Sequence, residues 1–142
     1  PGVQDAFNPG DFQHIRNEDE TIRQINEKHG TDIRHVSIPS GQVPTKKTLR
    51  RFFEVMDDED AYPVLIHCYH GTGRAVIYSA LYRVEYEGWE NEAARMETRA
   101  HPLLVDSALY QSSFAEGEGK GDFLIEYVPR SQPDNTIGQL AE

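Results

Sequence analysis

A lone cysteine and an arginine, with five residues between them, have the spacing of a reactive site. Cys68 follows the short apolar run 63–67, and Arg74 opens a second apolar stretch. These flanks predict a buried strand before the cysteine and a helix after the arginine. The loop between them can then surround an anion with its backbone N–H groups and the helix N-terminus, without a metal.

Such a loop predicts an activated thiol at Cys68. Oriented N–H dipoles, a helix N-terminus and a guanidinium each favour thiolate, and sites of this kind lower a cysteine pKa from about 8.5 to roughly 3.5–7.5. The thiolate is a nucleophile at neutral pH. Arg74 can bind two phosphoryl oxygens in fork geometry, and Gly71 and Gly73 permit close backbone approach. The pattern therefore predicts attack by Cys68 on a phosphoryl group.

His67, Cys68, five further residues and Arg74 form an HCxxxxxR pattern. Through this pattern the chain resembles the protein tyrosine phosphatase superfamily, and its small size resembles the compact dual-specificity type. The resemblance implies an α/β fold of three layers, with helices flanking a central mixed or parallel sheet of about four to five strands. It is specific over residues 63–84 and only architectural over residues 19–100.

The resemblance also implies roles for the residues of the loop. Cys68 would be the nucleophile that forms phosphocysteine, and Arg74 would hold the phosphoryl charge in the transition state. His67 would be a buried residue that orders the loop and supports a low thiol pKa. The implied phosphate cradle consists of Tyr69, His70, Gly71, Thr72, Gly73 and Arg74.

At two positions the sequence lacks a residue that assists the reaction in members of this family. Ala75 stands where family members usually have a serine or threonine that assists departure of the thiolate, so a slow second step is expected. Loop 40–44, where similar enzymes place an aspartate as general acid, has no carboxylate. The general acid is therefore unassigned. The weaker candidates for it are Asp57, Asp58, Asp60, Glu116, Glu118, Asp122 and His70.

The length of 142 residues and the net charge of −10 limit the class of protein. We expect one cysteine-phosphatase domain over residues 1–130 and a flexible tail over 131–142. The acidic charge disfavours nucleic acid as a partner, and no run approaches the roughly 18–20 apolar residues of a membrane span. The expected partners are phosphorylated proteins or small phosphomonoesters, with no cofactor and no metal.

The N-terminus bears on the expected compartment. The chain opens on Pro1 instead of methionine, and the edge strand of smaller family members would come just before it, so we expect a fragment that lacks this strand. A cytoplasmic location is favoured, while a periplasmic or secreted one stays open because a targeting segment would precede Pro1.

The apolar spacing predicts the other elements. A short helix should start at Asp19 or Glu20 and end at Gly30, after an N-terminal loop over 1–17. A second helix, capped by Thr45 and running to about Asp58, has a single apolar face. Residues 32–39 should form a strand, and 114–121 an exposed glycine-rich loop. The predicted apolar face consists of Leu49, Phe52, Phe53 and Met56.

Three functions are compatible with this pattern. The first is a phosphatase that hydrolyses phosphotyrosine, and also phosphoserine or phosphothreonine, through phosphocysteine. The second is a pseudophosphatase that binds phosphorylated partners, which Ala75 and the missing acid favour. The third, a rhodanese-type sulfurtransferase, is disfavoured because those loops commonly have one residue fewer.

Overall fold

The computed structural model describes residues 9–69, 71, 73–99 and 112–141. These residues contain no β-strand, so the predicted central sheet is wrong. The helices, in chain order, are α1 (Pro9–His29), α2 (Lys46–Met56), a 3-10 helix (Glu59–Ala61), α3 (Arg74–Tyr86), α4 (Asn91–Arg99), α5 (Gly119–Glu126) and α6 (Thr136–Gln139).

The two segments predicted as strands show why the sheet prediction failed. Within the described chain, the backbone of 32–39 and 63–67 makes no backbone hydrogen bond to another segment, whereas a strand requires a paired neighbour. Val64 and Ile66 pack against the core while Leu65 is 84% exposed. The apolar pattern of 63–67 therefore reflects burial of alternate side chains on one side, and not pairing in a sheet.

The core forms where α2 faces α3, and the apolar face predicted for α2 is confirmed. The side chain of Thr45 accepts a hydrogen bond from the backbone N–H of Thr48, and the Thr48 side chain accepts one from the Thr45 N–H. This reciprocal cap fixes the start of α2. The four predicted apolar residues are all buried, and the ring of Phe52 lies 5.0 Å from that of Tyr78 on α3.

Helix α3 is central, as its apolar composition predicts. Ile77, Ala80 and Leu81 are fully buried, and α3 packs against both α4 and α5, which also pack against each other. A helix held on several sides is a rigid support for the loop that precedes it. Arg74, at its first position, is therefore anchored by the core.

Two segments predicted to be loops are structured differently. Helix α1 begins at Pro9, well before the predicted start, and ends as predicted before Gly30, whose φ is +64°. Phe114, predicted to lie in an exposed loop, is fully buried. A Cβ added at Gly121 would lie 2.0 Å from the carbonyl oxygen of Ala115, so only glycine lets α5 start against this turn.

The C-terminal residues contact the domain. The backbone N–H of Thr136 donates to the carbonyl oxygen of Val128 at 3.0 Å, and Ile137 and Leu140 pack against the core. The flexibility expected for 131–142 and the domain limit at 130 stay predictions. Among the described helices, none has both the length and the hydrophobicity that a transmembrane segment requires.

Candidate active site

Cys68 lies partly buried in the loop before α3, and its thiol is not part of a disulfide. Burial raises the pKa of this thiol, but hydrogen bonds from the backbone N–H groups of Ala75, Gly71 and Gly73 lower it. The positive charge of Arg74 lowers it as well, and the net result is a pKa below the ordinary value. Two of these N–H groups, those of Gly71 and Gly73, belong to the predicted anion cradle, and that of Ala75 does not.

The loop depends on glycine at one position in particular. Gly71 has φ +72°, a conformation that other residues adopt only with strain. This turn directs its N–H toward the sulfur of Cys68. Tyr69, at the outer edge, is 67% exposed. His70 and Thr72, the other predicted cradle residues, lie outside the described residues.

The guanidinium of Arg74 is held by loop 40–44. Its Nη1 donates to the carbonyl oxygen of Ser40 at 3.3 Å. Ser40 is only 3% exposed, and its hydroxyl is hydrogen-bonded to the Tyr78 hydroxyl at 2.9 Å. The buried Ser40–Tyr78 pair therefore fixes the position of the carbonyl that Arg74 contacts.

His67 differs from the expectation that it is buried. Its side chain is 49% exposed, and Nε2 lies 2.5 Å from Oε1 of Glu18 on α1. The other oxygen of Glu18 lies 3.2 Å from Nε2 of His35. His67 points outward because Val64 and Ile66 take the inward positions of this segment. Its contact with α1 leaves it without the predicted place in the core.

Loop 40–44 lies where the family would place its general acid, but it presents an amide. A Cβ added at Gly73 would lie 2.8 Å from Oε1 of Gln42, so this side chain sits against the cradle. The amide of Gln42 has no acidic proton to donate. The general acid therefore stays unassigned, and this loop offers an amide beside the cradle.

The carboxylates considered as general acids are engaged elsewhere or exposed. Asp57 is bound by Arg130 through two hydrogen bonds of 2.9 Å, and Asp58 is bound by Arg34 at 3.0 Å. Asp122 accepts a 2.7 Å hydrogen bond from the backbone N–H of Gly117. The remaining carboxylate candidates are exposed: Asp60, Glu116 and Glu118.

Lys120 is a residue of the site that the sequence analysis missed. Its Nζ lies 3.4 Å from Oε1 of Gln42 and 3.6 Å from a Cβ added at Gly73. Burial lowers the pKa of this ammonium group, while the charge of Cys68 raises it. A lysine between Gly119 and Gly121 is the signal that could have drawn attention to it, because flanking glycines permit close approach of the backbone.

No group of three or more His, Cys, Asp or Glu side chains suited to a metal occurs in the part of the chain that the structure describes. The groups of this site that can contact an anion are N–H groups and cations. Those groups are the loop backbone, Arg74 and Lys120.

Comparison with known proteins identifies the family. Residues 13–115 match PTP-NADK, described as a DSP-PTPase phosphatase fused to NAD+ kinase. The chain belongs to this phosphatase family. The match confirms the resemblance to dual-specificity phosphatases drawn from the loop, and it covers the cysteine, the arginine and loop 40–44.

Two curated relatives of this phosphatase-family chain are the dual specificity protein phosphatases TpbA of Pseudomonas aeruginosa strains UCBPP-PA14 and PAO1. They are 34% and 33% identical to it over 67 residues. The aligned part is 46% of this chain and 31% of each relative, so the chain spans about a third of their length. No solved structure matches the chain.

Because its pKa is lowered, Cys68 should be alkylated at a lower pH than an ordinary cysteine. Thiolate, the reactive form, persists down to the lowered pKa, so the rate of reaction with iodoacetamide should reach its midpoint at a lower pH than for an ordinary cysteine. The rate is measured against pH for the folded protein and for the urea-unfolded protein. Equal midpoints in the two states would contradict the N–H cradle, and the absence of any other cysteine makes the signal unambiguous.

Proposed function

We propose that this chain is a protein phosphatase that hydrolyses phosphotyrosine, and also phosphoserine or phosphothreonine, through a phosphocysteine intermediate on Cys68. The observation that carries the proposal is the environment of the sulfur, which combines three backbone N–H groups with the charge of Arg74. Membership of the DSP-PTPase family supports it, as does similarity to relatives named dual specificity protein phosphatases.

The proposed reaction has two displacements at phosphorus. The Cys68 thiolate attacks, the S–P bond forms, and the P–O bond to the leaving group breaks while its oxygen takes a proton. Water then attacks phosphorus, the S–P bond breaks, and thiolate and inorganic phosphate are released with loss of a proton. Arg74 binds two phosphoryl oxygens, and the loop N–H groups hold the charge that develops on them.

The surroundings of Cys68 determine which substrates suit this site. Gln42 cannot protonate a leaving group, so phosphoesters of acidic alcohols should react much faster than alkyl phosphates. Ala75 offers no hydroxyl to the departing thiolate, which makes the second displacement the slower one. We therefore expect phosphotyrosine-like aryl esters to be the best substrates and phosphocysteine to accumulate.

The proposal is tested with a chromogenic aryl phosphate and an alkyl phosphate. The wild-type chain should release phosphate from the aryl ester, and Cys68→Ser should lose at least about a thousandfold of the rate, since removal of a nucleophile costs orders of magnitude. Leu65→Ser is the matched control, because this nearby side chain is 84% exposed and should leave the rate unchanged. Equal rates in wild type and Cys68→Ser would exclude phosphocysteine.

A second candidate function is a pseudophosphatase that binds phosphorylated partners. Ala75 and the amide of Gln42 favour it, since both replace groups that assist turnover. This function predicts tight binding of a phosphotyrosine peptide by the wild-type chain with no release of phosphate. Appearance of free phosphate in the same samples would exclude it.

A further inference from the structure

A second cation lies beside the phosphate cradle, on a segment distant in sequence. Lys120 lies in the first turn of α5, and its partner Gln42 is 78 residues away along the chain. Both side chains converge on Gly73, the residue just before Arg74. A negative charge on the Cys68 sulfur attracts the ammonium group.

Burial and the dipole of α5 both oppose a positive charge at Lys120. The side chain is partly buried, and the first turn of a helix is the positive end of its dipole. None of the ion pairs between described residues involves Lys120. Its ammonium group contacts two neutral groups that attract a cation, the oxygen of Gln42 and the face of the Phe114 ring, whose centre is 4.8 Å away. Among the described residues, therefore, no carboxylate pairs with this partly buried ammonium group.

The backbone that carries Lys120 is fixed by close packing. The Cβ that any other residue would add at Gly121 meets the backbone of Ala115 at 2.0 Å, so the start of α5 lies directly against that turn. Phe114, in the same turn, is fully buried and lies under the ammonium group. The core therefore holds the backbone of Lys120 where the side chain reaches the cradle.

We infer that Lys120 is a second phosphate-binding cation of this site, which shares the phosphoryl charge with Arg74 while Gln42 orients its ammonium group. The inference rests on the proposed function, because its ligand is the same phosphoryl group. The phosphoryl oxygens are the anion that pairs with the ammonium group. In the free protein, a thiolate at Cys68 offsets part of its positive charge. Lys120 lies beyond residues 13–115, the segment matched to the family.

Binding of inorganic phosphate tests this role without requiring turnover. Phosphate in the cradle should protect Cys68 from iodoacetamide. Lys120→Met should raise the half-protecting phosphate concentration at least about tenfold, the effect of losing one charge-assisted hydrogen bond. Lys120→Arg keeps the charge and should stay within about threefold of wild type. The matched control is Lys47→Met, an exposed lysine on α2 that should behave as wild type.

A second readout separates binding from packing. Removal of a cation beside the thiolate should also move the pH midpoint of alkylation upward in Lys120→Met and leave it in place in Lys120→Arg. Equal phosphate protection in Lys120→Met and wild type would overturn the inference and leave the proposed phosphatase intact. Absence of phosphate protection in the wild-type chain would instead overturn the proposed function and, with it, the role of Lys120.

Discussion

Replacement of Arg74 by lysine is expected to lower kcat/KM for an aryl phosphate by about a hundredfold to a thousandfold, the usual cost of losing one transition-state donor. Lysine keeps the positive charge, but it cannot bind two phosphoryl oxygens in a planar fork. It also cannot reproduce the 3.3 Å hydrogen bond to the carbonyl oxygen of Ser40 while facing the substrate. Steady-state hydrolysis of the aryl ester measures the effect.

The control for Arg74→Lys is Arg83→Lys on the same helix. Arg83 lies over the ring of Trp89, with 4.9 Å between guanidinium carbon and ring centre. Arg83 lies in the last turn of α3, at the end opposite the loop. Its replacement should therefore leave kcat/KM within about twofold of wild type, as for a surface change. An Arg74→Lys variant as active as Arg83→Lys would show that the fork geometry of Arg74 has no part in the reaction.

Replacement of Arg130 by methionine is expected to produce a large loss of stability, about 2–3 kcal/mol in the free energy of unfolding. The guanidinium binds Asp57 through two 2.9 Å contacts and Glu85 at 2.8 Å, and it lies 4.0 Å from the ring centre of Phe53. Loss of a partner from a buried pair costs about 3–5 kcal/mol. The value here is smaller because the Arg130 side chain is 34% exposed and that of Asp57 is 49% exposed.

The main cause of this loss is Glu85, whose side chain is 5% exposed. In Arg130→Met, the Glu85 carboxylate loses its charged partner and keeps two neutral donors, the Tyr127 hydroxyl at 2.5 Å and the backbone N–H of residue 130 at 3.2 Å. Urea unfolding followed by fluorescence measures the change. Arg51→Met, which breaks an exposed pair with Glu54 on α2, is the control and should cost less than about 0.5 kcal/mol. Equal unfolding midpoints for the two variants would contradict the arginine network.

Local sequence patterns predicted the helices that support the site. The apolar spacing and the cap at Thr45 located α2, and the glycines before Arg74 located the start of α3. These features depend on residues within a turn or two of one another, so the sequence displays them directly. The spacing of Cys68 and Arg74 is local in the same sense, and the family match covers it.

Features that depend on distant residues were missed. Lys120 meets Gln42 across 78 residues, and Arg130 meets Asp57 across 73. Neither pair leaves a periodic signal, because proximity arises only after the helices pack. The sheet was wrong for a related reason: the apolar run 63–67 predicts burial of side chains, while strand pairing depends on a second segment that one run cannot reveal.

Attack of Cys68 on phosphorus is tested most directly by trapping the phosphoenzyme. The wild-type chain is mixed with an aryl phosphate, quenched in acid, and mapped by peptide mass spectrometry. Phosphate should be found on Cys68, in high yield because Ala75 provides no hydroxyl for the second displacement, and Cys68→Ser should carry none. Hydrolysis of the ester that proceeds with no phosphate on Cys68, and at the same rate in Cys68→Ser, would contradict a phosphocysteine mechanism.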